Sequence, residues 1–171
     1  MMQTDVLSAH LNASGFMTTA RTRVRGVVSV ATSTAGTVNL WDTTTAPVSV
    51  TYGRSGTTIT ITHSSHGLTD GQWIGLTFAA GTGGTATNGN YQVTVTGANT
   101  YTVTDINSGS ITAGAAGTEG TRWLTSFDTA ALTTSGVPQT IFLPFPAEGM
   151  LAKNGVYAQL SNQTGLTIFY G

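Results

Sequence analysis

The sequence contains no cysteine. Disulfides and thiolate metal sites are excluded, and the redox compartment leaves no mark on the chain. Charge is the next thing in short supply. Asp, Glu, Lys and Arg make up 8% of the 171 residues, against roughly 25% in an average soluble domain. Long apolar runs are missing too, since none approaches the roughly 18–20 residues of a membrane-spanning helix. The opening Met1-Met2-Gln3-Thr4-Asp5-Val6 has neither the basic start nor the apolar stretch of a secretory signal. The expectation is a soluble protein, made in the cytoplasm, with no membrane partner.

Thr, Ser, Gly and Asn fill the place of the missing charges. Disorder normally combines low hydrophobicity with high net charge. Here 39% of residues are hydrophobic and the net charge is -1, so a packed core is expected. The length fits one ordinary domain or two small ones. A surface of neutral hydroxyls and amides has little electrostatic repulsion to keep copies apart. It suits a molecule that works in contact with neighbours.

Thr and Val favour strands, because their branched Cβ packs on a pleated surface. Period-two alternation predicts strands at Arg23–Val30, Thr37–Trp41, Pro47–Tyr52, Thr57–Thr62, Trp73–Phe78, Tyr91–Thr96, Thr100–Asp105, Arg122–Phe127, Thr140–Pro144, Gly155–Leu160 and Leu166–Tyr170. In the first of these, Val24, Gly26, Val28 and Val30 fall on one face. Pro144 and Pro146 cannot donate to a ladder, so their segment belongs at an edge or outside the sheet. Thr4–Leu11 is either a short helix capped by Thr4 or Asp5 or an extended arm. Gly81–Thr87 reads as a flexible loop and Ala113–Gly117 as a linker, both by composition. Residues from about Tyr52 to Gly120 are denser in Thr and Gly than their flanks. The fold expected is all-β: an outer β-sandwich, residues 1–51 plus 122–171, with an inserted small β-sheet or barrel module, residues 52–121. Insertion at a loop tip is tolerated where the chain leaves and returns at nearby points.

Candidate chemistry is sparse. His63, His66 and Asp70 are zinc- or nickel-ligand types, but a strand end and a tight turn need not converge, and a fourth ligand is not evident. A backbone-bonded turn histidine at His66, with Gly67 supplying the permissive φ, is the favoured reading. Ser64 or Ser65 with His66 and Asp70 gives a triad on paper only, because adjacent residues rarely place base and nucleophile together with an oxyanion pocket. The acidic residues Asp5, Asp42, Asp70, Asp105, Glu119, Asp128 and Glu148 are scattered, which disfavours paired-carboxylate glycoside chemistry. Gly81–Gly84 lacks the Lys-Ser/Thr of a phosphate loop. No catalytic residue, cofactor or metal is expected. Arg21, Arg23 and Arg25 form the one charge cluster. On a strand they share a face about 6.6 Å apart, as a solvated edge or a grip on carboxylates of a partner. Three arginines in a near-neutral chain are poor grounds for nucleic-acid binding. Trp41, Trp73 and Trp123 could line a glycan face, though each lies in a strand pattern where core or interface packing is commoner.

Two resemblances emerge. Thr19–Gly26, Gly36–Asp42 and the C-terminal Pro146-Ala147-Glu148-Gly149-Met150-Leu151, Gly155-Val156-Tyr157-Ala158 and Thr167-Ile168-Phe169-Tyr170-Gly171 resemble a small virion protein of marine tailed bacteriophages. His66-Gly67-Leu68, Asp70-Gly71-Gln72-Trp73-Ile74, Asn88-Gly89-Asn90-Tyr91-Gln92-Val93 and Asn99-Thr100-Tyr101-Thr102-Val103 resemble a β-module repeated across phage structural proteins. These resemblances imply a non-enzymatic virion structural protein on the outer surface of the particle, decorating or cementing the capsid. A tail, fibre or connector component is the alternative, and a surface carbohydrate-binding module the second alternative. The implied partners are the major capsid protein or other virion subunits, with a host surface glycan possible. A homo-oligomer is expected, with a trimer favoured from the habits of decoration proteins and from no residue here.

Overall fold

The computed structural model describes residues 6–129, 140–146 and 148–171. None of the described residues is helical, and the strands form antiparallel sheets. Four strands come first: β1 (Leu7–Leu11), β2 (Gly15–Thr18), β3 (Thr22–Ala31) and β4 (Gly36–Asp42). Five follow: β5 (Val48–Thr62), β6 (Trp73–Phe78), β7 (Gly89–Gln92), β8 (Thr94–Gly97) and β9 (Thr100–Gly120). The last are β10 (Trp123–Thr129), β11 (Thr140–Pro144), β12 (Met150–Ala152), β13 (Val156–Ser161) and β14 (Gln163–Tyr170). The chain forms two compact units, Met1–Ala46 with Leu124–Gly171, and Pro47–Trp123.

The first unit holds two sheets. One runs β1-β14-β3-β11, with β12 also on β3, and the other runs β10-β4-β13-β2. Their inward side chains form one core, with Val24, Val27, Leu166 and Ile168 from the first sheet and Val38, Leu40, Val156 and Ala158 from the second. A polar chain ties the two sheets. Ser29 donates to Gln163 Oε1 at 2.7 Å, Gln163 Nε2 donates to Thr129 Oγ1 at 2.7 Å, and Thr129 donates to the Gly36 carbonyl.

Segment 7–11 is a strand on β14, so the helical reading fails there. Thr4 and Asp5, its supposed caps, lie outside the described residues. The single-face reading of β3 also fails. Val24 and Gly26 are buried, but so are Val27, Ser29 and Ala31, while Val28 and Val30 turn outward. The register on β14 shifts between Phe169 and Tyr170, and one irregular residue flips every side chain beyond it. Pro144 closes β11 at the end of the sheet order, where no further donor is required.

The second unit is one sheet, β5-β9-β6-β7, with β8 also on β9. β5 and β9 pair from Val48↔Glu119 to Thr62↔Thr100, with shifts at Tyr52/Arg54 and Gly56/Thr58. Pro47–Tyr52 and Thr57–Thr62 are therefore one strand, and the supposed linker Ala113–Gly117 lies within β9. Its small residues permit close approach rather than slack: a Cβ on Gly53 would sit 2.9 Å from Ala113 Cα. Across the shifts, the buried phase of β5 changes from Val50 and Tyr52 to Ile59 and Ile61, and both halves feed a single core with Leu76, Tyr101 and Val103. The stretch Gly81–Thr87 is also held in place. Gly81 and Gly84 exchange backbone hydrogen bonds, Thr112 N–H donates to the Thr82 carbonyl, and Ala86 is buried.

Gly75 in β6 packs against backbone. A Cβ there would lie 2.2 Å from Trp123 N. Gly75→Ala is expected to destabilise the protein by about 1–3 kcal/mol, read as a lower urea midpoint. An unchanged midpoint would mean that Trp123 moves aside at no cost.

Candidate functional site

The residues considered for metal or triad chemistry are brought near one another but not onto a common centre. His66 Nδ1 accepts from Leu68 N–H at 3.0 Å and Nε2 donates to the Gly97 carbonyl at 2.9 Å, which spends both ring nitrogens on backbone. Gly67 follows at φ 63. Asp70 Oδ1 accepts from Val95 N–H at 3.0 Å. His63 points instead to Glu119, with Nδ1 at 2.9 Å from Oε2. The two imidazole rings lie 6.3 Å apart. No group of three or more His, Cys, Asp or Glu among the described residues could hold a metal ion.

The acidic residues that sequence position scatters are partly gathered by strand phase. Tyr101, Val103, Asp105, Ile111 and Glu119 are odd-numbered positions of β9, and all are buried. Each of the two carboxylates is matched. Asp105 accepts from Arg54 Nη1 at 2.6 Å and from the N–H groups of Thr87 and Asn107. Burial pushes its carboxyl up, and the hydrogen bonds from Thr87, Asn107 and Arg54 outweigh that and hold it below the usual carboxylate range. Glu119 Oε2 accepts from the Tyr101 hydroxyl at 2.6 Å and faces His63. Burial first, then the hydrogen bond and charge of Glu119, raise the Tyr101 phenol far above its ordinary range. Burial, helped by the charge of Asp105 and opposed by Arg54, lifts Tyr91 to about 12. Both pairs close the interior of a folded ribbon, which is a structural task. Period two across Thr100–Asp105 puts Asp105 on the face of Tyr101 and Val103, a signal that the strand bounds alone do not use. The continuation to Glu119 was hidden by reading Ala113–Gly117 as a break.

The three arginines do not act alike. Arg21 precedes β3 and is exposed, and Arg25 is exposed on its outward face. Arg23 is pulled back onto its own unit, 3.2 Å from Glu148 and 3.5 Å from the Gly149 carbonyl. Beside Arg25, the outward face of β3, β11 and β14 carries apolar groups. Phe142 is 59% exposed, and its ring meets Phe169 edge-on at 6.4 Å. Val28, between Phe142 and Thr167 in the ladders, is only half-buried. Period two in Thr140–Pro144 sets Phe142 on the face opposite Ile141 and Leu143, so its outward position is written in the alternation.

The tryptophans separate as well. Trp41 is fully buried, which removes it from any glycan face. Trp123 is half-buried, its backbone N–H and C=O bound by the Asn90 side-chain amide. Trp73 alone is open, at 62% exposure, on an open groove of about 600 Å³ whose lining includes Asp70, Asn88, Gln92, Thr104 and Ile106. The sequence suggested a tryptophan face without showing that only one of the three is accessible. Compared with protein-family models, curated proteins and solved structures, the chain matches none.

Proposed function

We propose that the chain is a non-enzymatic structural protein of a tailed-phage particle that decorates or cements the capsid. In this reading the first unit is a β-sandwich that seats on the shell, and residues 47–123 are an inserted β-module. The observation that carries it is the outward face of Arg25, Val28, Phe142 and Phe169. Aromatic residues and arginine with few other charges are the composition of interface centres, and an exposed apolar patch on a soluble domain marks a contact surface. The partner has apolar ground for Phe142 and carboxylates for Arg21 and Arg25, which can bind them bidentately. Arg23 is left out of that contact, since Glu148 already faces it. A stable contact buries on the order of 1,200–2,000 Å², and many copies on one shell make weak contacts durable. The composition supports the same reading, because an uncharged surface tolerates crowding against copies of itself.

The test is mass spectrometry of purified particles with copy-number counting. The native chain is expected in high copy. Phe142→Asp should lower occupancy by about tenfold or more, and Arg25→Glu should lower it as well, both with native melting behaviour. A low count, on the order of six or twelve, points to a cyclic ring at the tail or portal and overturns decoration. Absence from the particle overturns the virion reading altogether.

A further inference from the structure

We infer that the groove beside Trp73 is a binding site for a neutral oligosaccharide. It lies wholly within residues 47–123 and uses no residue of the face assigned to assembly, so the inference stands whether or not the chain belongs to a virion.

A sugar ring offers two kinds of surface: a C–H face that packs on an aromatic plane, and a rim of hydroxyls that both donate and accept. The groove supplies both. Trp73 and Ile106 are 62% and 84% exposed and give an apolar platform at no gain to the fold. The polar groups around them are anchored at one end and unspent at the other. Asn88 Oδ1 accepts from Phe78 N–H, leaving its NH₂ without a partner among the described residues. Gln92 Nε2 donates to the Gly71 carbonyl, leaving Oε1 unspent. Asp70 Oδ1 accepts from Val95 N–H, leaving Oδ2 unspent. The Thr104 hydroxyl has no partner among the described residues either. The site therefore presents one amide donor, two acceptors and a hydroxyl, with the three longer side chains already fixed in place. Fixing them in advance removes the ordering cost that otherwise consumes binding energy.

The supporting backbone is fixed too. Gly71 N–H donates to the Val93 carbonyl and Val93 N–H to the Gln72 carbonyl, so the turn carrying Asp70 and Trp73 is clamped to the segment carrying Gln92. The volume of about 600 Å³ falls within the range of small-ligand sites. The charge selects the class of sugar. No Lys or Arg lines the groove, and its one ionisable carboxylate is Asp70. A sialic acid, uronic acid or phosphate would meet a carboxylate and no cation, so a neutral or N-acetylated sugar is the ligand that fits.

The experiment uses the full chain against neutral tetrasaccharides of glucose, galactose, mannose and N-acetylglucosamine, with sialylated and uronate-bearing glycans alongside. Binding is followed by tryptophan emission and calorimetry. Trp73 is the accessible fluorophore, so saturable binding of a neutral glycan with a shifted emission is expected. Trp73→Ala should weaken it by at least about tenfold, and Trp73→Phe should restore part of it. Asn88→Asp, which turns the donor into an acceptor, should weaken it while keeping the emission shift. Because the indole is exposed, these Trp73 variants should melt as the native protein does. No binding by any neutral glycan at about 1 mM, equal binding by Trp73→Ala, or a preference for the acidic glycans would each overturn the assignment.

Discussion

Replacing Arg54 by Met will cost the protein about 3–5 kcal/mol of stability, the usual loss when one partner of a buried ion pair is removed. The Arg54 side chain is 7% exposed and that of Asp105 is 0% exposed, with 2.6 Å between Nη1 and Oδ2. Removing the guanidinium leaves a carboxylate that only Thr87 and Asn107 still serve. The pair as a whole is a different matter, since two desolvated charges gain little over apolar groups of the same volume. Arg54→Met combined with Asp105→Asn, which removes the second charge but keeps an oxygen for the Thr87 and Asn107 N–H groups, is therefore expected to recover part of the loss, and the two single losses should not add. The pH dependence has a definite sign. The folded Asp105 carboxyl sits below its unfolded value of about 3.9, so its contribution is fully present above that pH and is lost as pH falls through the folded value. Arg54→Met removes one cause of the depression and should move acid unfolding to higher pH. Urea titrations at neutral pH and at several acidic values give both quantities. A single mutant within about 1 kcal/mol of native would show that solvent already screens this pair.

Strand positions were legible where one face is wet and one dry. Trp73–Phe78 and Thr140–Pro144 have the bounds that alternation predicts. Alternation fails at the irregularities. In β3 and β5 a register shift changes the buried phase, and no local pattern of Val and Thr reveals where an extra residue sits. Composition misleads in β9, where Ala113–Gly117 has the residues of a linker yet pairs with β5 in register; Gly114 takes a positive φ and Gly117 lies close to the Thr77 carbonyl. Short partners such as Gly15–Thr18 and Met150–Ala152 are strands by virtue of the neighbours they pair with, which no window of four residues contains. The surface is less legible. Accessibility is a tertiary property, and it separates Trp73 from Trp41 and Arg25 from Arg23.

Glu119→Ala should cost about 3 kcal/mol, because the mutation leaves both the buried Tyr101 hydroxyl and His63 Nδ1 without their acceptor. These residues come from opposite ends of the β5–β9 ribbon. Tyr101 and His63 lie next to the Thr62↔Thr100 pair, and Glu119 lies at the Val48↔Glu119 pair. The carboxylate thus joins the two ends of one folded ladder, so its loss loosens long-range closure as well as a local contact. Glu119→Gln keeps an oxygen for Tyr101 and should fall between native and Glu119→Ala. The alkaline side separates this network from general burial. The Tyr101 phenol is raised above its unfolded value of about 10, so it stabilises fully below that pH, and the contribution drains away as pH rises toward the folded value. Tyr91, lifted to about 12, acts in the same direction. The native protein should lose stability steeply above about pH 10, and Tyr101→Phe, which has no proton to lose there, should show a shallower decline from a lower starting point. In Glu119→Gln burial still raises the phenol while the hydrogen-bonded charge no longer does, so its decline should level off at a lower pH than that of the native protein. Urea midpoints across the alkaline range measure the slopes. Identical slopes in all three proteins would detach Tyr101 from the alkaline transition and leave Glu119 as a contact of local effect only.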